Sequence, residues 1–276
     1  MQRLAVPLLA LVGALLAAPA PAHAERFALE YEGAWLGVAS LGTARLDMAV
    51  GDTLYDATAT VKSGGLLRLF EKTDLLAAAS GVLTPAGPRW RRYDLDHSYS
   101  RKRRVTSLRL SEDDAFRALI TPNYRVWGDP PASDADKRAS RDPLSSMIAM
   151  AMDVARTQRC AGAYPTFDGR FRYDLVLSGG TRANHDRGGY DGPVLKCRMR
   201  YVQVAGYDTR NENERRRLPE GEIWFALVPE SNVAPPVRVA MPAPVGSAVI
   251  SLKKWTRAYV TVLEPDIERP ATARDP

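Results

Sequence analysis

The strongest constraint on this chain is a period of two. Phe27, Leu29 and Tyr31 alternate with Ala28, Glu30 and Glu32, and Ala44, Leu46, Met48 and Val50 alternate with Thr43, Arg45, Asp47 and Ala49. Tyr55, Ala57, Ala59 and Val61 repeat the pattern, as do Phe171, Tyr173, Leu175 and Leu177, then Ile223, Phe225 and Leu227, then Val237, Val239 and Met241. Successive side chains of a strand point to opposite faces, so this alternation describes antiparallel strands with one face buried and one wetted. Turn signals separate the runs at Gly51-Asp52, Gly64-Gly65, Pro85-Ala86-Gly87, Asp168-Gly169 and Pro219-Glu220-Gly221. Asp168-Gly169 reads as a type I′ hairpin turn. Without parallel crossovers, the strands predict a mainly β fold: a single antiparallel, strongly curled sheet, a β-barrel or a β-spiral.

One segment breaks the period. Asp142 can cap a helix, Pro143 suits its first position, and Leu144, Met147, Ile148, Ala151 and Ala155 follow at helical spacing. Ala149, Met150, Met152 and Val154 make the other faces apolar too, and a helix apolar nearly all round is normally buried. A helix over about 143–157 is therefore expected to pack against the sheet or plug it. Gly128 to Asp142 reads as a long exposed connection, Ser178 to Gly192 as a Gly-rich loop.

Residues 1–24 carry the three parts of a secretory signal: Arg3, an apolar run from Leu4 to Leu16, and small residues at Ala22 and Ala24. The run is shorter than the roughly 20 residues that span a bilayer. Cleavage after Ala24 is expected, and no Cys follows it for lipid attachment. No later stretch reaches spanning length, so no transmembrane segment is expected after cleavage. The remaining chain reads as one β-barrel-like domain over 25–263 and a disordered tail over 264–276, working in a bacterial periplasm.

A net charge of +6 and a pI near 9.4 would suit nucleic acid elsewhere. In a periplasm the expected anionic neighbours are lipid, lipopolysaccharide or acidic polymers, and no nucleic acid is expected. Cys160 and Cys197 are the only thiols, in a compartment where disulfides persist. Redox pairs usually sit as C-x-x-C, and zinc would need two more ligands from His97 and His185, so we read the pair as a structural disulfide. Cys197 shares a strand face with Leu195, Met199 and Tyr201, and the bridge would tie the end of the helix to that strand.

The order Asp142-Pro143-Leu144-Ser145, Cys160, Phe167-Asp168-Gly169-Arg170-Phe171-Arg172-Tyr173, then Tyr190-Asp191-Gly192-Pro193-Val194-Leu195-Lys196-Cys197 and on to Gly206 resembles the exported bacterial family known as domain of unknown function 3108. Tyr31, Gly37 and Ala44 near the start fit as well, as does Pro236-Val237-Arg238-Val239. The resemblance spans roughly residues 27–260 and implies an envelope protein of β-barrel or β-spiral character, with no established activity. The run from Lys72 to Gly81 departs from it, being more Ala/Leu-rich than the charged strand that the resemblance leads us to expect there.

No motif announces a reaction, and no cofactor or metal is expected. His97 lies beside Asp94 and Asp96, but there is no G-x-S-x-G elbow, and strand neighbours two and three apart do not converge on one atom. His185 lacks a second ligand cluster, and Glu112-Asp113-Asp114 lacks calcium-loop spacing. The strongest feature outside the core is cationic. Arg89, Arg91 and Arg92, with Arg101, Lys102, Arg103 and Arg104, would lie side by side in a hairpin, either protecting a sheet edge or meeting an anionic partner. The expectation is a non-enzymatic binding or scaffold module for anionic or lipidic envelope components. The alternatives are a hydrolase acting on envelope glycan or lipid, and an assembly factor that binds only envelope protein.

Overall fold

A computed structural model describes residues 23–65, 68, 72–215, 217–243 and 245–261. The alternating runs become β1 (His23–Trp35), β2 (Ala39–Val50), β3 (Leu54–Ser63), β4 (Thr73–Thr84), β5 (Gly87–Tyr99), β6 (Lys102–Leu110) and β7 (Phe116–Thr121). After the helical segment come β8 (Gly162–Phe167), β9 (Arg172–Arg187), β10 (Tyr190–Ala205), β11 (Gly221–Ala226), β12 (Pro236–Pro242) and β13 (Ser247–Thr261). Among the described residues, the helices are α1 (Asp134–Ala139), α2 (Pro143–Thr157) and α3 (Glu212–Arg215).

All the strands join one antiparallel sheet in the order β7-β6-β5-β4-β3-β2-β1-β13-β12-β11-β10-β9-β8. The fold is mainly β, as the period of two requires. The first and last strands pair at the centre, His23 opposite Thr261, and the two edges are the strands flanking the helical segment. The sheet curls on itself without closing: among the described residues, β7 and β8 share no ladder. Side chains fill the seam instead. Phe116 of β7 meets Phe167 of β8 edge-on at 6.1 Å and Trp90 of β5 at the same distance. Arg141 adds a short parallel bridge to the free edge of β8, donating its backbone N–H to the Pro165 carbonyl and accepting from Phe167 N–H.

Helix α2 lies inside the curl. Asp142 caps it by accepting from the Leu144 and Ser145 amides, and Gln158 ends it in the left-handed region. Ile148, Met150, Ala151 and Val154 pack among Phe27, Leu29, Tyr55, Leu195 and Phe225. The helix is buried on most sides because the sheet surrounds it. Cys160, just past its end, lies 5.4 Å at Cα from Cys197 of β10, with the two sulfurs bonded. Opposite Cys197 the β9–β10 register slips by a residue, and Gly179 and Gly180 take up the bulge with positive φ. Gly180 lies beside the bridge, and its φ of +129° is a conformation that side-chain-bearing residues rarely adopt.

Three local expectations change. Ser178 to Gly192 is not a loop: β9 and β10 run straight through it, the glycines serving the bulge and the turn at Gly188-Gly189. Gly128 to Asp142 is not simply exposed, for it holds α1 and buries Ala132, Ser140 and Asp142 against the seam. The turn at Asp168-Gly169 spans four residues rather than two: only Gly169 of that pair takes positive φ, and Asp168 accepts from the Arg170 and Phe171 amides. A carboxylate that bonds its own backbone offers a wider turn the same two residues. The signal segment, apart from His23 and Ala24, lies outside the described residues, and so does the 264–276 tail. His23 and Ala24 pair with Thr261 and Val260, so cleavage after Ala24 would start the chain at Glu25, which Arg257 and Ser231 hold.

Candidate functional site

In an up-and-down meander, alternate turns lie at opposite ends. The β2–β3 turn, the β4–β5 turn and the segment between β11 and β12 therefore share one end of the curl with the exposed side of α2. Between them opens a cleft of about 850 Å³. One wall is α2, presenting Ala149, Met152 and Ala155; the facing wall is the β4–β5 turn from Leu83 to Pro88. Polar groups enter from Arg141, Asp153, Arg156 and Tyr164, with Asp52, Ser231 and Asn232 also lining it.

Within this lining one cation stands apart. Asp153 is taken: Arg156 donates to it at 2.8 Å and the Tyr164 hydroxyl at 3.1 Å. Burial, and then the nearby Asp153 charge, push the Tyr164 phenol well above its ordinary pKa, so it stays a donor. Arg141 has no such partner. Its Nε donates to the Pro88 carbonyl at 2.8 Å and its backbone is pinned to β8, while its terminal nitrogens make no hydrogen bond or ion pair among the described residues. The guanidinium is thus held in place with its fork unspent. Behind it lies a buried relay in which Asp142 accepts from the Ser145 hydroxyl and Ser145 meets the Tyr55 hydroxyl at 2.7 Å. Burial raises the Asp142 carboxyl to about 6, against the hydrogen bonds that favour its charge.

The seven cationic residues named from the sequence do fall on one hairpin, β5–β6, but not side by side. Antiparallel pairing sets Arg92 opposite Arg109, and Arg103 and Arg104 opposite Ser98 and His97, so the two groups occupy opposite ends. Carboxylates and carbonyls take up much of their charge. Arg89 pairs with Asp114, Arg92 with Asp94 and Arg103 with Asp96. Arg91 donates to the Ser111 carbonyl, and Arg104 to that of Pro122 while lying 3.8 Å over the Tyr124 ring. Arg101 and Lys102, exposed at the turn, make no ion pair among the described residues.

The same pairs occupy the carboxylates near His97. Burial pushes Asp94 up, but hydrogen bonds from Ser107, Arg109 and Arg92 outweigh it and hold the group below the usual carboxylate range. Arg103 does the same for Asp96. Each carboxylate is thereby committed to a guanidinium. His185 sits on β9 between Tyr190 and Trp224, its pKa lowered first by burial. Asp113 and Asp114 belong to the β6–β7 turn. Among the described residues no cluster of three or more His, Cys, Asp or Glu could hold a metal, and no helix is long and apolar enough to cross a membrane. Sequence reasoning missed Arg141, whose only signal was its place beside the helix cap.

The family described as Protein of unknown function (DUF3108) matches residues 26–253. The chain belongs to this family. Among curated proteins none matches the chain. Two of the solved structures that match this chain do so at low identity. One is a β-barrel-like protein of domain of unknown function DUF1849 from Brucella abortus, 9% identical, covering 86% of this chain and 99% of its own, with a TM-score of 0.44. The other is a putative lipoprotein from Parabacteroides distasonis ATCC 8503, 10% identical, covering 83% of this chain and 94% of its own, with a TM-score of 0.32.

Proposed function

We propose that this member of the DUF3108 family is an exported, non-catalytic periplasmic module that binds an anionic, partly apolar envelope component in the cleft beside α2. The observation that carries this reading is Arg141: a guanidinium fixed by Pro88, with its terminal donors unspent, at an opening that also offers Met152, Ala155 and Leu83. A planar guanidinium fork suits a carboxylate or phosphate, and the apolar walls suit a hydrocarbon portion. A volume of about 850 Å³ is within the range of small-molecule sites. The export signal supports the compartment.

Native mass spectrometry of protein purified from periplasm tests it. The expected result is a co-purified anionic amphiphile, with occupancy falling about tenfold in Arg141→Gln, the equivalent of one charge-assisted contact. Ala155→Trp, which fills the cleft from the helix side, should displace the ligand while leaving the melting temperature close to the parent. Absence of any anionic ligand, or occupancy indifferent to both substitutions, overturns the reading.

A further inference from the structure

The end of the curl opposite the cleft is built differently. Here the β1–β2 and β12–β13 turns zip together: Trp35 Nε1 donates to the Val245 carbonyl at 2.8 Å and Leu36 N–H to the Ser247 carbonyl at 3.1 Å. Residues 33–44 and 239–252 contain no charged side chain, although a quarter of the whole chain is charged. The joined tips expose apolar side chains. Val38 is 87% exposed, Val245 63% and Leu36 48%, with Trp35 and Ile250 near 40%. Large apolar side chains gathered at one tip mark a contact surface more than scattered ones do.

Two further properties say what that contact is. First, polar groups of the tip find partners inside it. The indole N–H is spent on Val245, Val38 N–H donates to the Trp35 carbonyl, and Ala243 N–H to that of Gly246. A segment whose backbone donors are satisfied internally enters hydrocarbon at far lower cost than one whose donors need water. Second, the same end carries the cations. Counting turns along the meander places the β3–β4 and β5–β6 connections at this end, with Lys72 and Arg101 exposed on them and Lys62 and Lys102 exposed on the adjoining strand ends. The Lys72 carbonyl accepts from Ser100 N–H, which joins the two basic turns. Arg68 and Arg103 are there too, paired with Asp74 and Asp96, and Lys253 and Lys254 nearby are offset by Glu32 and Glu30. Measured along the sheet, four strand spacings, roughly 20 Å, separate the β1–β2 tip from the β5–β6 turn.

We propose that this end docks the protein on an anionic phospholipid bilayer, the β1–β2 and β12–β13 tips entering the interface while Arg101, Lys102, Lys62 and Lys72 meet lipid phosphates. An apolar wedge beside a basic rim matches the layered chemistry of a leaflet surface, where apolar side chains and Trp sit below headgroups and basic side chains among them. The assignment stands independently of the cleft, which it leaves facing away from the membrane.

The test uses the mature protein with sucrose-loaded vesicles, of phosphatidylcholine alone or mixed with phosphatidylglycerol. Sedimentation with the mixed vesicles is expected, weakening as salt is added, with little on phosphatidylcholine alone. Val38→Asp with Val245→Asp removes the wedge at side chains that are already exposed, and Arg101→Glu with Lys102→Glu reverses the rim. Each pair should lower partitioning about tenfold or more at an unchanged melting temperature. No sedimentation of the parent protein overturns the proposal, as does binding that survives the aspartates. Loss through the glutamates alone reduces it to charge adsorption and also overturns it. Arg141→Gln, which weakens binding in the cleft, should sediment like the parent, so the two readings fail separately.

Discussion

Asp142 sits in an environment that disfavours its charge. It caps α2 and anchors the Ser145–Tyr55 relay, yet it is 1% exposed, and burial lifts its carboxyl to about 6 from an ordinary value of 3.8. A carboxyl whose folded pKa lies above its unfolded one holds its proton more tightly when folded. Its stabilising contribution is thus complete below about pH 4 and lost as pH rises through about 6, on the order of 2–3 kcal/mol in all. Asparagine caps helices nearly as well and does not titrate there. Asp142→Asn should therefore gain on the parent protein as pH climbs from 4 to 7, measured as the difference between their unfolding free energies. Curves that stay parallel would refute it. The cap itself was legible, because Asp-Pro before an apolar run is a local signal. The burial that shifts the carboxyl was not, since it depends on the 128–142 segment folding back over the seam.

At the scale of elements, strand alternation was legible wherever one face met water, as at Phe27-Leu29-Tyr31 and Tyr55-Ala57. It failed at Gly179 and Gly180, where a positive-φ bulge opposite Cys197 looks in sequence like a flexible loop. It was silent on Arg141, whose placement depends on the Pro88 carbonyl 53 residues away. The bridge joins the end of α2 to β10 and closes a loop across a sequence separation of 37. Loop-closure entropy makes this worth roughly 4 kcal/mol. Cys160→Ser and Cys197→Ser should each lower the melting temperature and the amount of folded protein recovered from cells, and chemical reduction should lower the melting temperature of the parent. An unchanged melting temperature would deny the bridge a structural part.

For the molecule as a whole, the informative feature is the seam. A mainly β sheet was readable from the period, but whether its edges would meet was not, because closure depends on twist accumulated over the entire sheet. Phe167 is 3% exposed and packs on Phe116 where the ladder is missing. Phe167→Ala should cost about 3–5 kcal/mol in denaturant unfolding. Amide exchange in β7 and β8 should then accelerate before that at the central β1–β13 pair; uniform acceleration would show that the seam is no weaker than the rest. That central pair carries a consequence in time. Its two strands are the earliest and the latest of the described chain, so its ladder forms only when the final strand arrives. Contacts so distant along the sequence make folding slow. The export proposed above would profit from such delay, since the architecture would be completed only after the whole thread had emerged on the far side of a translocation pore.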